Sequence, residues 1–323
     1  MKCKVLALLR SQQGPVSGEE ISLQLGVSRT AVWKHIQTLK EEGYEIISQP
    51  GTGYLLKEVP DLLLPGELAY FLSDSIFGQN IEYYRTLQST NEQAKAAADQ
   101  GAPEGTLVVA ESQEEGKGRL GRQWFSPEGS GIYATVVLRP PLKPEQAPGF
   151  TLMAAAALAQ AVQQVTGMAP GIKWPNDLLL AGKKFCGILT EMKAEMDRIH
   201  YLVIGTGINV NMDPQLFPAE FRDTATSIKK ELGQEVSRIR LLSAYLKSME
   251  TLYRIYLEQG LSPIIEEWKA WSITLGQSVT LTSGHEVFRG RAIDIAGNGG
   301  LVVLGDNGEQ KIFHSGEVTL RNK

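Results

Sequence analysis

The run Gly116-Lys117-Gly118-Arg119-Leu120-Gly121-Arg122 constrains the fold more than any other stretch, because its glycines match the spacing of a dinucleotide-binding turn. Such a turn must open a helix, whose N-terminus receives the pyrophosphate. Here Gln123-Trp124-Phe125-Ser126-Pro127 follows, with aromatics and a proline where the first helical turns belong. That argues against a dinucleotide fold. A Walker loop fails as well, since Gly116 and Gly121 have the right interval but Arg122-Gln123 stand where Lys-Ser/Thr is required. What remains is a flexible cationic loop that brings backbone N–H groups and positive side chains to a dense anion. The plainer alternative is an exposed charged turn.

Lys173-Trp174-Pro175-Asn176-Asp177 favours the first of these, since it packs an ammonium, an aromatic, an amide and a carboxylate between two short strands. Gly182 and Lys183 then turn the chain back, so that a hairpin would hold Lys184 near Asp177 and Lys173. Gly205-Thr206-Gly207-Ile208-Asn209 ends another strand in glycines and an amide, where backbone can approach a ligand closely. Ser89-Thr90-Asn91-Glu92 opens a helix running to residue 100, and Ser89 with Glu92 has capping-box spacing. Capping is the simpler reading of Ser89 and Thr90, although the free N–H groups of a helix start also suit a polar ligand.

Around these motifs the chain reads as α+β in three parts, residues 1 to 62, 63 to 271 and 272 to 323. In the first, Val5, Leu6, Leu8 and Leu9 predict one helix and residues 19 to 25 another, broken at Gly26. Ser28 can cap a third, in which Val32, Ile36 and Leu39 repeat on one face and Arg29, Thr30, Trp33, Lys34 and Gln37 lie on the other. A hairpin about Pro50-Gly51 follows, giving a winged helix-turn-helix. Such a module lays its third helix in the DNA major groove, with Ser28, Arg29, Thr30, Trp33, Lys34 and Gln37 as the contacting residues, or else serves only protein contacts. Its charge is nearly balanced, with seven Lys/Arg against six Asp/Glu up to residue 60. Phosphate attraction must therefore come from a local patch.

Prolines and glycine between residues 59 and 66 read as a linker. Beyond it, strand candidates at 106 to 111, 132 to 138, 171 to 174, 178 to 180, 185 to 192 and 200 to 205 surround an alanine-rich helix at 151 to 166. Hairpin-like connections predict a mixed sheet with helices on one face. From about Ser272 onwards, alternating strands and the Asn298-Gly299 and Asn307-Gly308 turns predict a small β-barrel. Two cysteines and four histidines, none at metal-ligand spacing, argue against a disulfide framework or a zinc site. The apolar run at 5 to 9 is too short to cross a membrane, so cytoplasm is the expected compartment.

Taken together, Ser89-Thr90-Asn91, the loop from Gly116 to Arg122 with Trp124, Lys173 to Asp177, Lys184 with Gly187, and Gly205-x-Gly207-Ile208-Asn209 resemble the biotin protein ligase family. The N-terminal module makes the chain similar to the bifunctional form, which is also the biotin operon repressor. The resemblance covers essentially the whole chain, and one departure is Lys117, where the family commonly has arginine. Lysine keeps the charge without the planar fork.

The resemblance implies a central sheet like that of class II aminoacyl-tRNA synthetases and an SH3-like C-terminal barrel. It also implies that biotin and MgATP give biotinyl-5'-AMP, whose acyl group passes to a lysine of the biotin carboxyl carrier protein of acetyl-CoA carboxylase. In the repressor form, the adenylate promotes homodimerisation on operator DNA. Ser89, Thr90, Asn91, Gln113, Gly116, Lys117, Gly118, Arg119, Gly187 and Asn209 would bind biotin or its adenylate. Lys184 would hold the carboxylate and phosphate oxygens, and Asp177 would orient or deprotonate the incoming amine. Lys184, Arg119 and Asp177 are thus the implied catalytic residues. The cofactors would be ATP and Mg2+, with no resident metal site. A ligand-sensing regulator without catalysis and a lipoate-type acyltransferase are the competing readings.

Overall fold

A computed structural model describes residues 1–12, 14–284 and 286–320. It divides into two compact units, Met1–Leu62 and Leu63–Lys323.

In the first unit, helices α1 (Lys2–Ser11), α2 (Gly18–Leu25) and α3 (Arg29–Glu41) precede the hairpin of β1 (Glu45–Gln49) and β2 (Gly53–Glu58). Val5, Leu9, Ile21, Val32, Ile36 and Leu39 form its buried core, as the helical spacing predicts. Gly26 ends α2 with φ 65°, and Ser28 begins α3 by accepting the Ala31 N–H at 3.2 Å. A cap of this kind contributes about 1 kcal/mol. Arg29, Thr30, Trp33 and Lys34 are exposed and Gln37 is half-buried on the solvent face of α3.

The second unit is built on a sheet of seven strands among the described residues: β3 (Ile81–Leu87), β4 (Leu107–Gln113), β5 (Gly131–Leu138), β6 (Gly171–Lys173), β7 (Asp177–Leu180), β8 (Lys183–Ala194) and β9 (Ile199–Asn209). Its order is β3-β4-β5-β9-β8-β7-β6. Only the β3/β4 pair is parallel, so the sheet is mixed. Strand β3, half-exposed and rich in polar residues at the sheet edge, carries too weak an alternation to be read from the sequence.

Helices cover both faces of this sheet, not one. Helix α4 (Pro65–Phe71) opens the unit, with Pro65 as its first residue. The proline read as linker is therefore a helix start, where a missing N–H costs nothing. Helix α5 (Thr90–Asp99) lays Ala94 and Ala98 against Val108, Val137 and Val203. The opposite face is covered by α6 (Pro148–Thr166). Against it pack α8 (Arg238–Gln259) and α9 (Ser262–Trp271), while α7 (Ile228–Leu232) is a single short turn between β9 and α8. Strand β5 explains the double cover: all its residues are buried, and an unbroken apolar strand needs packing on both sides.

Strands β10 (Ser278–Ser283), β11 (Glu286–Ile295), β12 (Leu301–Gly305), β13 (Gln310–Phe313) and β14 (Glu317–Leu320) form a separate antiparallel sheet in the order β13-β12-β11-β10-β14. It is joined to β6 through Ile273 N–H, which donates to Ile172 O at 3.0 Å, and through Trp174 N–H, which donates to Thr274 Oγ1 at 2.9 Å. This docking sets the start of β14 beside the glycine loop.

Candidate active site

The glycine loop is a short β-like turn folded back along the end of β4. Gln113 bridges to Ser126 and Lys117 to Gln123. Gly118 N–H donates to Arg122 O, and Trp124 N–H donates to Gly116 O, both at 2.7 Å. A Cβ on Gly116 would lie 2.4 Å from Trp124 O, so the backbone approach demands glycine there. At the tip, Leu120 is exposed and left-handed, with φ 57°. No α-helix follows, in keeping with the rejection of a dinucleotide turn.

The fold-back places Trp124 across the sheet. Gly187 on β8 pairs with Gly207 on β9, and the two make a flat seat for the indole. A Cβ on Gly207 would come within 2.4 Å of Trp124 Nε1. That indole nitrogen is buried and has no hydrogen-bond partner, so the seat holds an unused donor. Lys184 Nζ lies 5.4 Å from the centre of the indole ring and 2.6 Å from Asp177 Oδ1. The β7–β8 hairpin thus brings Lys184 to Asp177, as expected.

At the start of α5, Ser89 occupies the cap position, but its side chain makes no capping hydrogen bond. The capping reading is therefore corrected. Gln113 holds this helix start instead: its Oε1 accepts from Thr90 N–H at 2.8 Å and from Thr90 Oγ1 at 3.1 Å. Asn91 is buried, and its Nδ2 donates to Glu191 at 2.8 Å while its Oδ1 accepts from Thr135 at 2.8 Å. Asn209, at the end of β9, donates to Thr226 O at 3.1 Å and so ties the sheet to the loop containing Phe217 and Phe221. Lys184 N–H and O pair with Thr224 O and Thr226 N–H along the same loop.

These elements enclose one cavity of about 1120 Å³. Every site residue expected in the central part lines it: Ser89, Thr90, Asn91, Gln113, Gly116, Lys117, Gly118, Arg119, Asp177, Lys184, Gly187 and Asn209. Ser28, Arg29, Thr30, Trp33, Lys34 and Gln37 belong to the other unit.

Four of the cations on the cavity wall, Lys117, Arg119, Arg122 and Lys184, are individually tethered. Lys117 pairs with Glu92 at 2.5 Å, Arg122 pairs with Glu317, and Lys184 pairs with Asp177. Hydrogen bonds from Lys117 and then Lys95 hold the Glu92 carboxyl below its ordinary range. Arg119 donates to Asn176 Oδ1 at 2.9 Å and to Gly316 O at 3.4 Å. Burial draws its guanidinium below the ordinary arginine value, opposed by the carboxylates of Asp177 and Glu317. Sequence reasoning missed Glu92, Asn176, Gly316 and Glu317 as parts of the site. Asn176 stood inside a recognised motif, whereas nothing in the sequence connects Glu317 to a loop almost two hundred residues earlier.

A cavity of this size, with Lys117, Arg119 and Lys184 on its wall, suits an extended anionic ligand and the stabilisation of charge on phosphorus. Residues 83–209 match the biotin/lipoate A/B protein ligase family, residues 3–55 an HTH domain, and residues 274–321 the biotin protein ligase C terminal domain. The chain is 41% identical over 312 residues to the bifunctional ligase/repressor BirA of Bacillus subtilis (strain 168), covering 96% of each chain. It is 30% identical to the bifunctional ligase/repressor BirA of Escherichia coli (strain K12), covering 99% of this chain and 97% of that one. Among solved structures, the biotin protein ligase from Aquifex aeolicus in complex with biotin and ATP aligns with a TM-score of 0.65 at 28% identity. That alignment covers 76% of this chain and 100% of the other.

Proposed function

The chain belongs to the bifunctional biotin protein ligase and repressor family, and on that premise we propose that its cavity joins biotin to AMP and passes the biotinyl group to a carrier lysine. It is an ATP-dependent biotin–protein ligase with a DNA-binding repressor domain. The observation that carries the residue assignments is the convergence of Lys117, Arg119 and Lys184 on one cavity whose floor is the Gly187/Gly207 pair. Two anions, a carboxylate and a triphosphate, must meet there. Cations offset their repulsion and stabilise the charge that builds on the α-phosphorus.

In the first step a biotin carboxylate oxygen attacks the α-phosphorus and pyrophosphate leaves. Lys184 is placed to follow the carboxylate and the phosphate oxygens, and Arg119 the phosphate. In the second step the carrier ε-amine attacks the acyl carbon and AMP leaves. The amine must be neutral to attack. Asp177 is held against Lys184 in the free protein. The anionic adenylate competes for that ammonium, and the released Asp177 carboxylate accepts the amine proton. Magnesium enters this reading on the nucleotide, because a hard cation of its kind takes mainly phosphate and water oxygens with one or two carboxylates. Among the described residues no group of three or more His, Cys, Asp or Glu is arranged to hold a metal by itself. Asp177, one of the carboxylates on the cavity wall, would add a ligand to it.

The carrier partner is a biotin carboxyl carrier protein, and the adenylate-bound chain acts on operator DNA as a homodimer. Residues 63 to 271 form the catalytic part and 272 to 323 its small barrel. No described helix is long and apolar enough to cross a membrane, and the use of ATP and a carrier protein as substrates supports a cytoplasmic compartment.

Incubation with biotin, MgATP and a biotin carboxyl carrier domain should release pyrophosphate and add one biotinyl group to the carrier, read by mass spectrometry. A sensor without catalysis would bind biotin and release none. In a gel shift with operator DNA selected from a random pool, biotin plus ATP should strengthen binding; unchanged affinity removes the repressor half of the reading. A further check concerns the indole seat. Gly207→Ala forces Trp124 from its place, so biotin affinity should fall about tenfold or more, the equivalent of an overpacking cost of about 1–3 kcal/mol. Titration calorimetry measures it.

A further inference from the structure

Three of the wall cations are paired to carboxylates: Lys117 to Glu92, Arg122 to Glu317 and Lys184 to Asp177. Arg119 is held in another way. Its hydrogen-bond partners among the described residues are the Asn176 amide oxygen at 2.9 Å and the Gly316 carbonyl at 3.4 Å, both uncharged.

Asn176 is itself fixed on all sides. Only 7% of it is exposed; its Nδ2 donates to Ile188 O at 2.9 Å, and its own carbonyl accepts from Ile188 N–H at 3.1 Å. One amide orientation satisfies both neighbours, with NH2 toward the carbonyl and oxygen toward the guanidinium. The reversed amide would set two donors face to face and two acceptors face to face.

We propose that Asn176 is a positioning residue for adenylate formation, whose neutral amide holds the Arg119 guanidinium at the cavity wall without pairing it directly to a carboxylate. This rests on the reading of the cavity as an adenylate-forming site. A carboxylate in the same place would hold the guanidinium equally well, but its negative charge would cancel part of what the phosphate needs. The paired cations must exchange a carboxylate for the ligand. Arg119 needs no such exchange, because an amide and a carbonyl compete only weakly with phosphate for a cation.

The test measures single-turnover adenylate formation, biotin affinity and melting temperature in wild type, Asn176→Ala, Asn176→Asp, Arg119→Ala and the Arg119→Ala/Asn176→Ala pair. Asn176→Ala should slow adenylate formation about 100-fold, the loss expected when a catalytic group shifts by about 1 Å. Biotin affinity should stay near wild type, and the pair should be no slower than Arg119→Ala alone, because the two residues act as one unit. Asn176→Asp keeps the size and the acceptor toward Arg119, yet should be at least as slow as Asn176→Ala. Additive losses in the double variant, or a wild-type rate from either Asn176 variant, overturn the inference. So does a lowered melting temperature in both Asn176 variants with their rates restored on assay below it. A wild-type protein that forms no adenylate overturns the functional reading and this inference with it, whereas a wild-type rate from Asn176→Ala overturns this inference alone.

Discussion

Lys184→Ala should cut adenylate formation by at least about 100-fold, the usual loss on removing one preorganised group that stabilises developing charge. Lys184 sits on β8 between the indole of Trp124 and the carboxylate of Asp177, at the wall of the cavity that gathers the glycine loop, the start of α5 and the end of β9. Its backbone remains paired to the loop at Thr224 and Thr226, so truncating the side chain leaves the local fold in place. The side chain is also part-exposed, which keeps the stability cost of losing its ion pair small. Pyrophosphate release under saturating biotin and MgATP gives the rate, and circular dichroism confirms the fold. Near-normal turnover from a folded variant would remove Lys184 from the mechanism.

The largest stability effect is expected far from the chemistry, at Arg238→Met. Arg238 and Glu111 are both fully buried, with Arg238 Nη1 2.8 Å from Glu111 Oε2 and 3.0 Å from Gly131 O. Glu111 Oε1 accepts from the N–H of Leu63 at 2.7 Å, so a single carboxylate joins the entry of the second unit to β4 and to the first turn of α8. Removing one charge leaves the other buried without compensation, which typically costs about 3–5 kcal/mol. Replacing both residues by apolar ones of similar volume should recover much of that loss, since the desolvation penalty disappears with the charges. Urea unfolding followed by tryptophan emission reads it, because Trp124, Trp174, Trp268 and Trp271 all belong to the second unit. An Arg238→Met midpoint close to wild type would show that the pair contributes little. Activity measured well below the transition should be nearly unchanged.

These two residues differ in how far the sequence exposed them. Lys184 stood in a hairpin a few residues from Asp177, and a hairpin's register is short-range information. Glu111 and Arg238 are separated by more than a hundred residues, in an apolar strand and a helix start, and each alone looks like an ordinary charge. The same distinction runs through the fold. The face of α3, the cap at Ser28, the alanine-rich α6 and the glycine turns follow from periodicity and local backbone chemistry. The cover of both sheet faces, the helix beginning at Pro65 and the edge strand β3 depend on what packs against them.

The glycine loop shows where that division falls. The sequence by itself determined that residues 116 to 122 form a cationic, glycine-rich loop that opens no dinucleotide-binding helix, because Trp124 and Pro127 directly follow. Only the tertiary structure decided that the loop turns back to seat Trp124 on Gly187 and Gly207. It also decided that Lys117, Arg119 and Arg122 are held by Glu92 on α5, by Asn176 before β7, and by Glu317 on β14. The physical reason is range. Steric limits on φ and ψ and the spacing of apolar residues act over a few positions, whereas a buried side chain or a paired charge takes its energy from groups that only the folded chain brings near.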